Sequence, residues 1–328
     1  MEGERLPPGD TGAAAGGLRH MALFYRDQAE RRETLLGLVR ASVARGEPAF
    51  VVLPGNEARQ LGGQIDGRHD GLTWSDSTSV GRNPARIIPE MRAFVDRHDG
   101  RRVLVVGEAL WPDRSPAEMR EVTRHEALIN LAFSRSAATV VCAFDAVRLP
   151  PPVIADARRT HPAYLADGRA LPTGTQAPWE LPRDCDLPLP PPPAGAETVD
   201  YETDLAPVRR LVERHAGHTT LGADRAADLV LAASELAANT LGHTKWGGTF
   251  WIWHDDAEIV CQTDDRGQIT DPLAGRVRHG PGRRGHGLYL VNHVCDLVEV
   301  RTGTAGTSIR LHMRLPGASP PGGAAPLV

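Results

Sequence analysis

A proline-rich segment near the middle of the sequence divides the chain into two halves. It spans residues 171–198 and holds Pro172, Pro178, Pro182, Pro188 and four consecutive prolines at 190–193. Proline lacks the backbone N–H that helices and inner strands require, and proline-rich chain favours extended polyproline geometry. We therefore predict a semi-rigid linker over residues 166–197, with one domain before it (18–165) and a second after it (198–316).

Length and composition agree with two globular domains. The 328 residues are 41% hydrophobic and 24% charged, with a net charge of −4, so the chain lacks the basic footprint of a direct nucleic-acid partner. There is neither an apolar run of about 18 residues nor a signal-peptide core, which predicts a cytoplasmic protein with no membrane partner. We expect the N-terminus (1–17) and the tail (317–328) to be disordered.

Two residue counts narrow the chemistry that this chain can perform. Lys245 is the only lysine and follows Thr244, so there is no Gly-Lys-Ser/Thr phosphate loop, and the motifs of eukaryotic-type kinases are absent as well. Any nucleotide must therefore be held by backbone amides, arginine and metal. The four cysteines stand far apart and fit neither a zinc knuckle nor a disulfide framework. We expect them to be packing residues: Cys142, Cys185, Cys261 and Cys295.

Strand-like and helical patterns alternate in the first half. The predicted strands are 21–25, 49–53, 103–106 and 139–144, and the predicted helices are 28–45, 83–98 and 115–135. This alternation predicts an α/β domain with a parallel, doubly wound sheet. Such sheets bind ligands at the carboxyl ends of their strands, where this chain carries Glu108, Trp111 and Asp145.

One carboxylate interrupts an apolar helical stripe in the third predicted helix, which opens with a capping box at Ser115 and Glu118. Glu126 lies in line with Val122 and Ile129, so it is expected to be buried and to need a partner or a raised pKa. One interpretation is a structural ion pair with an arginine. The other is a ligand contact beside His125.

Four short motifs of the first half carry a family resemblance. They are Gly81-Arg82-Asn83-Pro84, Gly107-Glu108 with Trp111-Pro112, Arg124-His125-Glu126-Ala127-Leu128-Ile129-Asn130, and Thr160-His161-Pro162. Together they resemble the MEDS sensory domain of bacterial regulators, which is thought to bind small ligands. The resemblance implies a small-molecule site, for which the candidate residues are Glu108, Trp111, His125, Glu126 and Asp145.

The second half contains a helix with a paired carboxylate and amide. Residues 224–241 are rich in alanine and leucine and contain no proline or glycine, which predicts a helix with one buried stripe. Glu235 and Asn239 stand four residues apart and so share one face of it. An amide oxygen can ligate Mg²⁺, and a carboxylate can accept a proton from an attacking hydroxyl. Alone, such a pair more often marks a solvated polar face.

Three further motifs follow in a fixed order. Thr263-Asp264-Asp265-Arg266-Gly267 closes a strand-like run, Gly282-Arg283-Arg284-Gly285-His286-Gly287 leads into a helix, and Gly306-Thr307 opens the last strand. With the Glu235/Asn239 helix they resemble the four ATP-binding boxes of the GHKL (Bergerat-fold) ATPases, and most closely the bacterial anti-sigma-factor serine kinases. The resemblance implies an α+β Bergerat-fold ATPase sandwich with ATP and Mg as cofactors.

The same resemblance assigns roles to individual residues. Glu235 is implied as the catalytic base, Asn239 as the Mg ligand, and Asp265 as the acceptor for the adenine amino group. Residues 268–284 would form a lid with arginines at 276, 278, 283 and 284. The remaining nucleotide contacts are implied at Gly267, Arg284, Gly285, Gly287 and Thr307. The chain departs from the pattern at Thr240, Ile269 and His286.

Three functional classes remain open from the sequence. The first is a ligand-sensing anti-sigma factor that binds a sigma factor and phosphorylates a serine of a STAS-type anti-sigma-factor antagonist. The second is a regulator that binds ATP without transferring phosphate. The third is a sensor histidine kinase with His125 as phosphoacceptor, which the proline-rich linker disfavours because a two-helix hairpin would be required in its place. Whether the protein forms a homodimer is left open.

Overall fold

The computed structural model of this protein describes residues 17–65, 69–180, 185–278 and 285–317. The chain divides into two compact units, Met1–Cys185 and Asp186–Val328. The predicted disordered termini lie outside the described residues, apart from Gly17 and Gly317.

The first unit is an α/β domain around one seven-stranded sheet. The strand order is β3-β2-β4-β5-β1-β6-β7, and every neighbouring pair is parallel except β6–β7. Its elements are β1 (Arg19–Tyr25), α1 (Gln28–Ala44), β2 (Ala49–Leu53), α2 (Asn56–Gly62), β3 (Leu72–Asp76), α3 (Ser77–Val80), a 3-10 turn (Pro84–Arg86), α4 (Ile87–Arg97), β4 (Val103–Gly107), α5 (Pro116–Ala132), β5 (Ala138–Asp145), α6 (Pro151–Thr160), β6 (Ala163–Ala166) and β7 (Arg169–Pro172). The predicted parallel α/β sheet is confirmed.

Local sequence signals explain the main elements of this unit. Strands β2 and β5 are buried along their whole length, which is why they read as continuous apolar runs. Helix α5 begins with the predicted capping box, in which the Glu118 amide donates to Ser115 and the Ser115 amide donates to Glu118.

The antiparallel edge of the sheet differs from the prediction. Strands β6 and β7 form a hairpin whose two turn residues, Asp167 and Gly168, both have positive φ. Asp-Gly is the pair that favours such a tight turn. Strand β7 therefore lies inside residues 166–197, the segment predicted to be linker, because a four-residue edge strand tolerates Pro172 at its end.

The second unit is a five-stranded antiparallel sheet of order β11-β12-β10-β9-β8 with helices packed on one face. Its elements are β8 (Glu197–Tyr201), α7 (Ala206–Gly217), α8 (Ala223–His243), β9 (Gly248–His254), β10 (Glu258–Asp265), α9 (His286–Val294), β11 (Leu297–Gly303) and β12 (Gly306–Arg314). Alternate sheet residues such as Phe250, Ile252 and Leu311 meet Leu229 and Leu236 of α8 in one core. The predicted α+β sandwich is confirmed.

The described part of the chain contains no helix long and apolar enough to cross a membrane.

Candidate functional site

Helix α8 and the start of α9 are in close contact at Gly287. A Cβ atom at this position would lie 2.6 Å from Glu235 Oε2 and 3.1 Å from each terminal atom of Asn239. Real Cβ atoms do not approach other atoms so closely, so any larger residue at position 287 would displace the Glu235 and Asn239 side chains from this arrangement. The structure therefore brings the carboxylate, the amide and the first turn of α9 together, and the two polar side chains remain partly exposed.

The N-terminus of α9 presents backbone donors at the same place. Its N-cap, Gly285, has a left-handed conformation with φ 111°, and no side chain of the described residues caps the helix. The first N–H groups of a helix have no acceptor within it, and the helix dipole makes this end positive. Such an end binds phosphate groups well.

Asp265 is fixed at the end of β10 by two hydrogen bonds. Thr240 Oγ1 donates to Asp265 Oδ2 at 2.8 Å, and the Gly267 amide donates to Oδ1 at 2.7 Å. A carboxylate has about four lone-pair positions, so Asp265 keeps capacity for a further donor. Thr307 lies directly opposite Asp265 on β12, and its hydroxyl donates to the Gly267 carbonyl at 2.9 Å.

Two glycines shape the backbone around this carboxylate. A Cβ at Gly267 would lie 2.9 Å from Thr244 Cγ2 and 3.0 Å from Asp265 Oδ1. Gly306 has φ +129°, and a Cβ there would lie 2.1 Å from the Asp265 carbonyl oxygen. Gly306 was predicted only as the start of a strand. Its conformation shows that it is required for the close approach of β12 to the end of β10.

Two of the three departures from the pattern of the ATP-binding boxes, Thr240 and Ile269, have structural explanations. Thr240, where alanine is common in the family, orients Asp265 through its hydroxyl. Ile269 packs against the core, and its amide donates to Thr302 Oγ1 at 3.0 Å. In the predicted lid, Arg276 is 6% exposed and Arg278 is exposed. The predicted contacts at Arg283 and Arg284 lie outside the described residues.

A surface groove between α7 and α8 reaches Glu235. Its volume is about 710 Å³, and its lining includes Leu221, Val230 and Leu231 together with Arg209. Leu231 is 40% exposed and adds apolar surface to the groove. Glu235 thus also lines an open, partly apolar groove.

In the first unit, Glu108 belongs to a buried network. Tyr25 donates to Glu108 Oε1 at 2.8 Å, and Arg31 forms an ion pair with Glu108 Oε2 and a second one with Glu57 at 2.5 Å. Burial raises the pKa of Glu108 above its ordinary value, against the opposing effect of Arg31. Glu108 is therefore held by partners from within its own unit.

The other predicted sensory residues are distributed over different environments. Trp111 lies under the Arg114 guanidinium, 3.7 Å from it, and Asp145 accepts from the amides of Val147 and Arg148 in the turn after β5. Glu108, His125 and Glu126 line one cavity of about 20 Å³, which is room for about one water molecule. Trp111 and Asp145 do not line that cavity.

Glu126 is buried and its partners are histidines rather than an arginine. Its Oε2 lies 3.4 Å from His20 Nε2 and 3.6 Å from His161 Nε2. Burial alone would raise the pKa of Glu126, but the neighbouring histidines hold it at about 2. The expected arginine partner was wrong, since the histidines are more than 30 residues away in sequence and no local pattern indicates them.

Two family models match the sequence, one in each unit. Residues 19–162 match the model described as the MEthanogen/methylotroph, DcmR Sensory domain (MEDS), and residues 199–313 match the Histidine kinase-like ATPase domain. Among solved structures, the RsbU and RsbW domains of Rv1364c from Mycobacterium tuberculosis share 20% identity with this chain, with a TM-score of 0.29. That match covers 38% of this chain and 33% of the other, so the chain spans about a third of its length. No curated protein matches the sequence.

Proposed function

This chain carries an N-terminal MEDS sensory domain and a C-terminal histidine kinase-like ATPase domain, and from this premise we propose that it is an ATP-dependent protein-serine kinase that acts as an anti-sigma factor. Its substrate is a serine of a STAS-type antagonist protein, and its second partner is a sigma factor. A small molecule bound by the first unit regulates it.

The observation that carries this proposal is the contact of Gly287 with both Glu235 and Asn239. It joins a proton acceptor, an oxygen ligand for a cation and the amides at the N-terminus of α9 at one point. The next residue along α8, Thr240, holds Asp265. Consecutive side chains of one helix therefore serve the phosphate end and the adenine end of a single nucleotide.

The described residues fit a magnesium nucleotide. Asp265 accepts a hydrogen bond from the adenine amino group. Gly267 has no Cβ, which would otherwise collide with Thr244 and with the Asp265 carboxylate. The amides of the first turn of α9 bind the phosphates, with Arg284 of the lid as a further contact. Asn239 ligates Mg²⁺, which when bound neutralises phosphate charge.

Glu235 serves the transfer itself. The serine oxygen of the substrate forms a bond to the γ-phosphorus, the bond from that phosphorus to the bridging oxygen breaks, and ADP leaves. The hydroxyl proton passes to the Glu235 carboxylate. Since the groove between α7 and α8 reaches Glu235, a protein substrate docked there can present its serine to this carboxylate.

The burial of His125 disfavours the histidine-kinase alternative. Its side chain is 2% exposed within α5, so it is not accessible to a phosphate donor. The departures at Ile269 and His286 support the alternative of a regulator that binds ATP without transferring phosphate. Measuring phosphate transfer to the antagonist distinguishes this regulator from the kinase.

For regulation, we propose that the small ligand binds at the carboxyl-end edge of the first sheet near Glu108, Trp111 and Asp145. Because the cavity at Glu108 is water-sized, binding requires side-chain movement there. Ligand screening by thermal shift on the full chain should find a metabolite whose stabilisation is lost in Trp111→Ala. Equal stabilisation of wild type and variant by every active metabolite would place the ligand elsewhere.

The kinase proposal is tested by transfer of radiolabelled phosphate from ATP to an antagonist protein that co-purifies with the full chain from its native cell. Glu235→Gln should lower the transfer rate by about 10²–10⁴-fold with ATP affinity within a few fold of wild type. Asp228→Asn is the matched control, because it neutralises another partly exposed carboxylate on the same helix. Equal transfer by Glu235→Gln and wild type would contradict the role of Glu235, and no transfer by wild type would favour the binding-only regulator.

A further inference from the structure

Four metal-ligating side chains meet in the interior of the first unit. They are His20, Glu126, Cys142 and His161, and one donor atom from each lies within 4.8 Å of all the others. Their exposed fractions are 2%, 2%, 6% and 0%. The fold therefore concentrates two imidazoles, a carboxylate and a thiol where polar groups are rare.

The topology of the sheet explains this convergence. Strands β1 and β5 are parallel neighbours in which His20 lies opposite Val140, so Cys142, two residues further on, points to the same face. Glu126 lies on α5, and His161 follows directly after α6. The four donors thus come from two adjacent strands, one helix and the residue that follows another helix, all in the same unit.

Three of the six distances between donor atoms match the edges of a tetrahedral metal site. His20 Nε2 lies 3.4 Å from Glu126 Oε2 and 3.5 Å from Cys142 Sγ, and His161 Nε2 lies 3.6 Å from Glu126 Oε2. Bond lengths of about 2.0–2.3 Å from zinc to nitrogen, oxygen and sulfur give tetrahedral edges of roughly 3.3–3.6 Å. The other three distances are at most 4.8 Å, so a small inward movement of the side chains would bring all four donors to a central zinc ion.

Hydrogen bonds behind the two histidines orient their rings. His161 Nδ1 lies 2.7 Å from the Ala157 carbonyl, which requires a proton on Nδ1 and leaves the Nε2 lone pair facing the cluster. His20 Nδ1 lies 3.1 Å from Asn130 Oδ1, and the Asn130 amide nitrogen donates to the Thr160 carbonyl at 2.8 Å, which fixes the amide orientation. Carbonyl or amide acceptors of this kind are the usual outer partners of metal-bound histidines.

Two of the inward-facing atoms have no hydrogen-bond partner among the described residues. These atoms are Glu126 Oε2 and His161 Nε2, both completely buried. An unsatisfied buried carboxylate oxygen is costly, whereas a cation between these atoms would satisfy both.

We propose that His20, Glu126, Cys142 and His161 bind one Zn²⁺ ion in a closed tetrahedral site that stabilises the first unit. On binding, the Cys142 thiol releases its proton to solvent, and the thiolate and the Glu126 carboxylate together balance the two charges of the ion. Because all four positions are filled by protein, the ion is a structural one. The site is independent of the proposed kinase activity.

The test uses the full chain, stripped with a strong chelator and titrated with Co²⁺ as a spectroscopic probe and then with Zn²⁺. We expect one ion per chain, a visible spectrum of tetrahedral cobalt with a thiolate-to-cobalt charge-transfer band, and a rise in the melting temperature of the first unit. Cys142→Ala should abolish the charge-transfer band and weaken Zn²⁺ binding by at least about 100-fold, since even outer partners of metal ligands contribute 10–100-fold.

Cys185→Ala is the matched control, because Cys185 is equally buried in the same unit and lies outside the cluster. It should retain the spectrum and the affinity. His161→Gln provides a second ligand variant, and circular dichroism of each stripped protein separates misfolding from lost binding. Failure of the folded wild type to bind Co²⁺ or Zn²⁺ stoichiometrically would overturn the proposal, and so would a charge-transfer band that persists in Cys142→Ala.

Discussion

The two units hold their functional polar groups in opposite ways. In the second unit, Glu235 and Asn239 remain partly exposed, and what surrounds them is backbone: Gly287 and the amides of α9. In the first unit, Glu108 and Glu126 are almost completely buried, and each is matched by charged or polar side chains. The second arrangement is accessible to a ligand from outside, whereas the first encloses its carboxylates among side chains of the same unit.

The largest expected effect concerns the internal network of the first unit. Arg31→Leu should lower the free energy of unfolding by about 3–5 kcal/mol, because it leaves the buried Glu108 carboxylate without its cation. Arg26→Leu is the control: Arg26 pairs with Glu30 at the surface and should contribute less than about 1 kcal/mol. Urea unfolding of the full chain measures both. Similar values for the two variants would show that burial does not distinguish these ion pairs.

The second unit also contains a buried charged group, His312, which should make its stability depend on pH. His312 is buried between Glu258 and Glu299, at 3.1 and 3.2 Å, and these carboxylates raise its pKa to about 9 although burial opposes the charge. Two arginines lie near the same carboxylates: Arg301 donates to Glu299, and Arg310 interacts electrostatically with Glu258 and Glu299. The folded protein therefore binds a proton that the unfolded chain releases above about pH 6.5.

The raised pKa of His312 determines how the free energy of unfolding depends on pH. The stabilisation is fully present below pH 6.5 and is lost as the pH rises through 9, with an upper limit of about 3 kcal/mol. Unfolding of the second unit followed between pH 6 and 10 should show this loss in wild type and not in His312→Gln. An identical pH dependence in both proteins would contradict the assignment to His312.

The smallest expected effect is on ATP affinity at the partly exposed nucleotide site of the second unit. Thr240→Val preserves the side-chain shape but removes the hydrogen bond to Asp265, so ATP affinity should fall about tenfold, or about 1.4 kcal/mol. Thr249→Val removes a comparable bond to Asp200 at the surface and should leave ATP affinity unchanged. Fluorescent-nucleotide displacement measures both. Unchanged affinity in Thr240→Val would mean that Thr240 does not orient Asp265 for the nucleotide.

The nucleotide site of the second unit could be predicted largely from the sequence. The elements of the second unit and the order of its motifs follow from local signals: the helix-forming run before Gly242, the strand ending at Asp265 and the glycines at 285 and 287. Glycine is informative because a left-handed conformation or a close backbone contact disfavours other residues, as at Gly285 and Gly306. Sites built from backbone approach therefore leave a trace in the sequence.

The interior of the first unit leaves no such trace. Glu126 could be identified as buried from the helical stripe around it, but its partners His20 and His161 come from other elements. Cys142 was predicted to be a packing residue, since no other cysteine or histidine stands at metal-ligand spacing near it in sequence. Only the parallel register of β1 and β5 places it beside His20.

The central claim is that the second unit binds Mg-ATP through Asn239 and Asp265, and calorimetric titration of the full chain with ATP tests it most directly. With Mg²⁺ present, wild type should bind ATP more tightly than in EDTA, Asn239→Ala should lose this magnesium-dependent gain, and Asp265→Asn should bind ATP more weakly under both conditions. Wild-type-like ATP affinity and magnesium dependence in both variants would contradict the account.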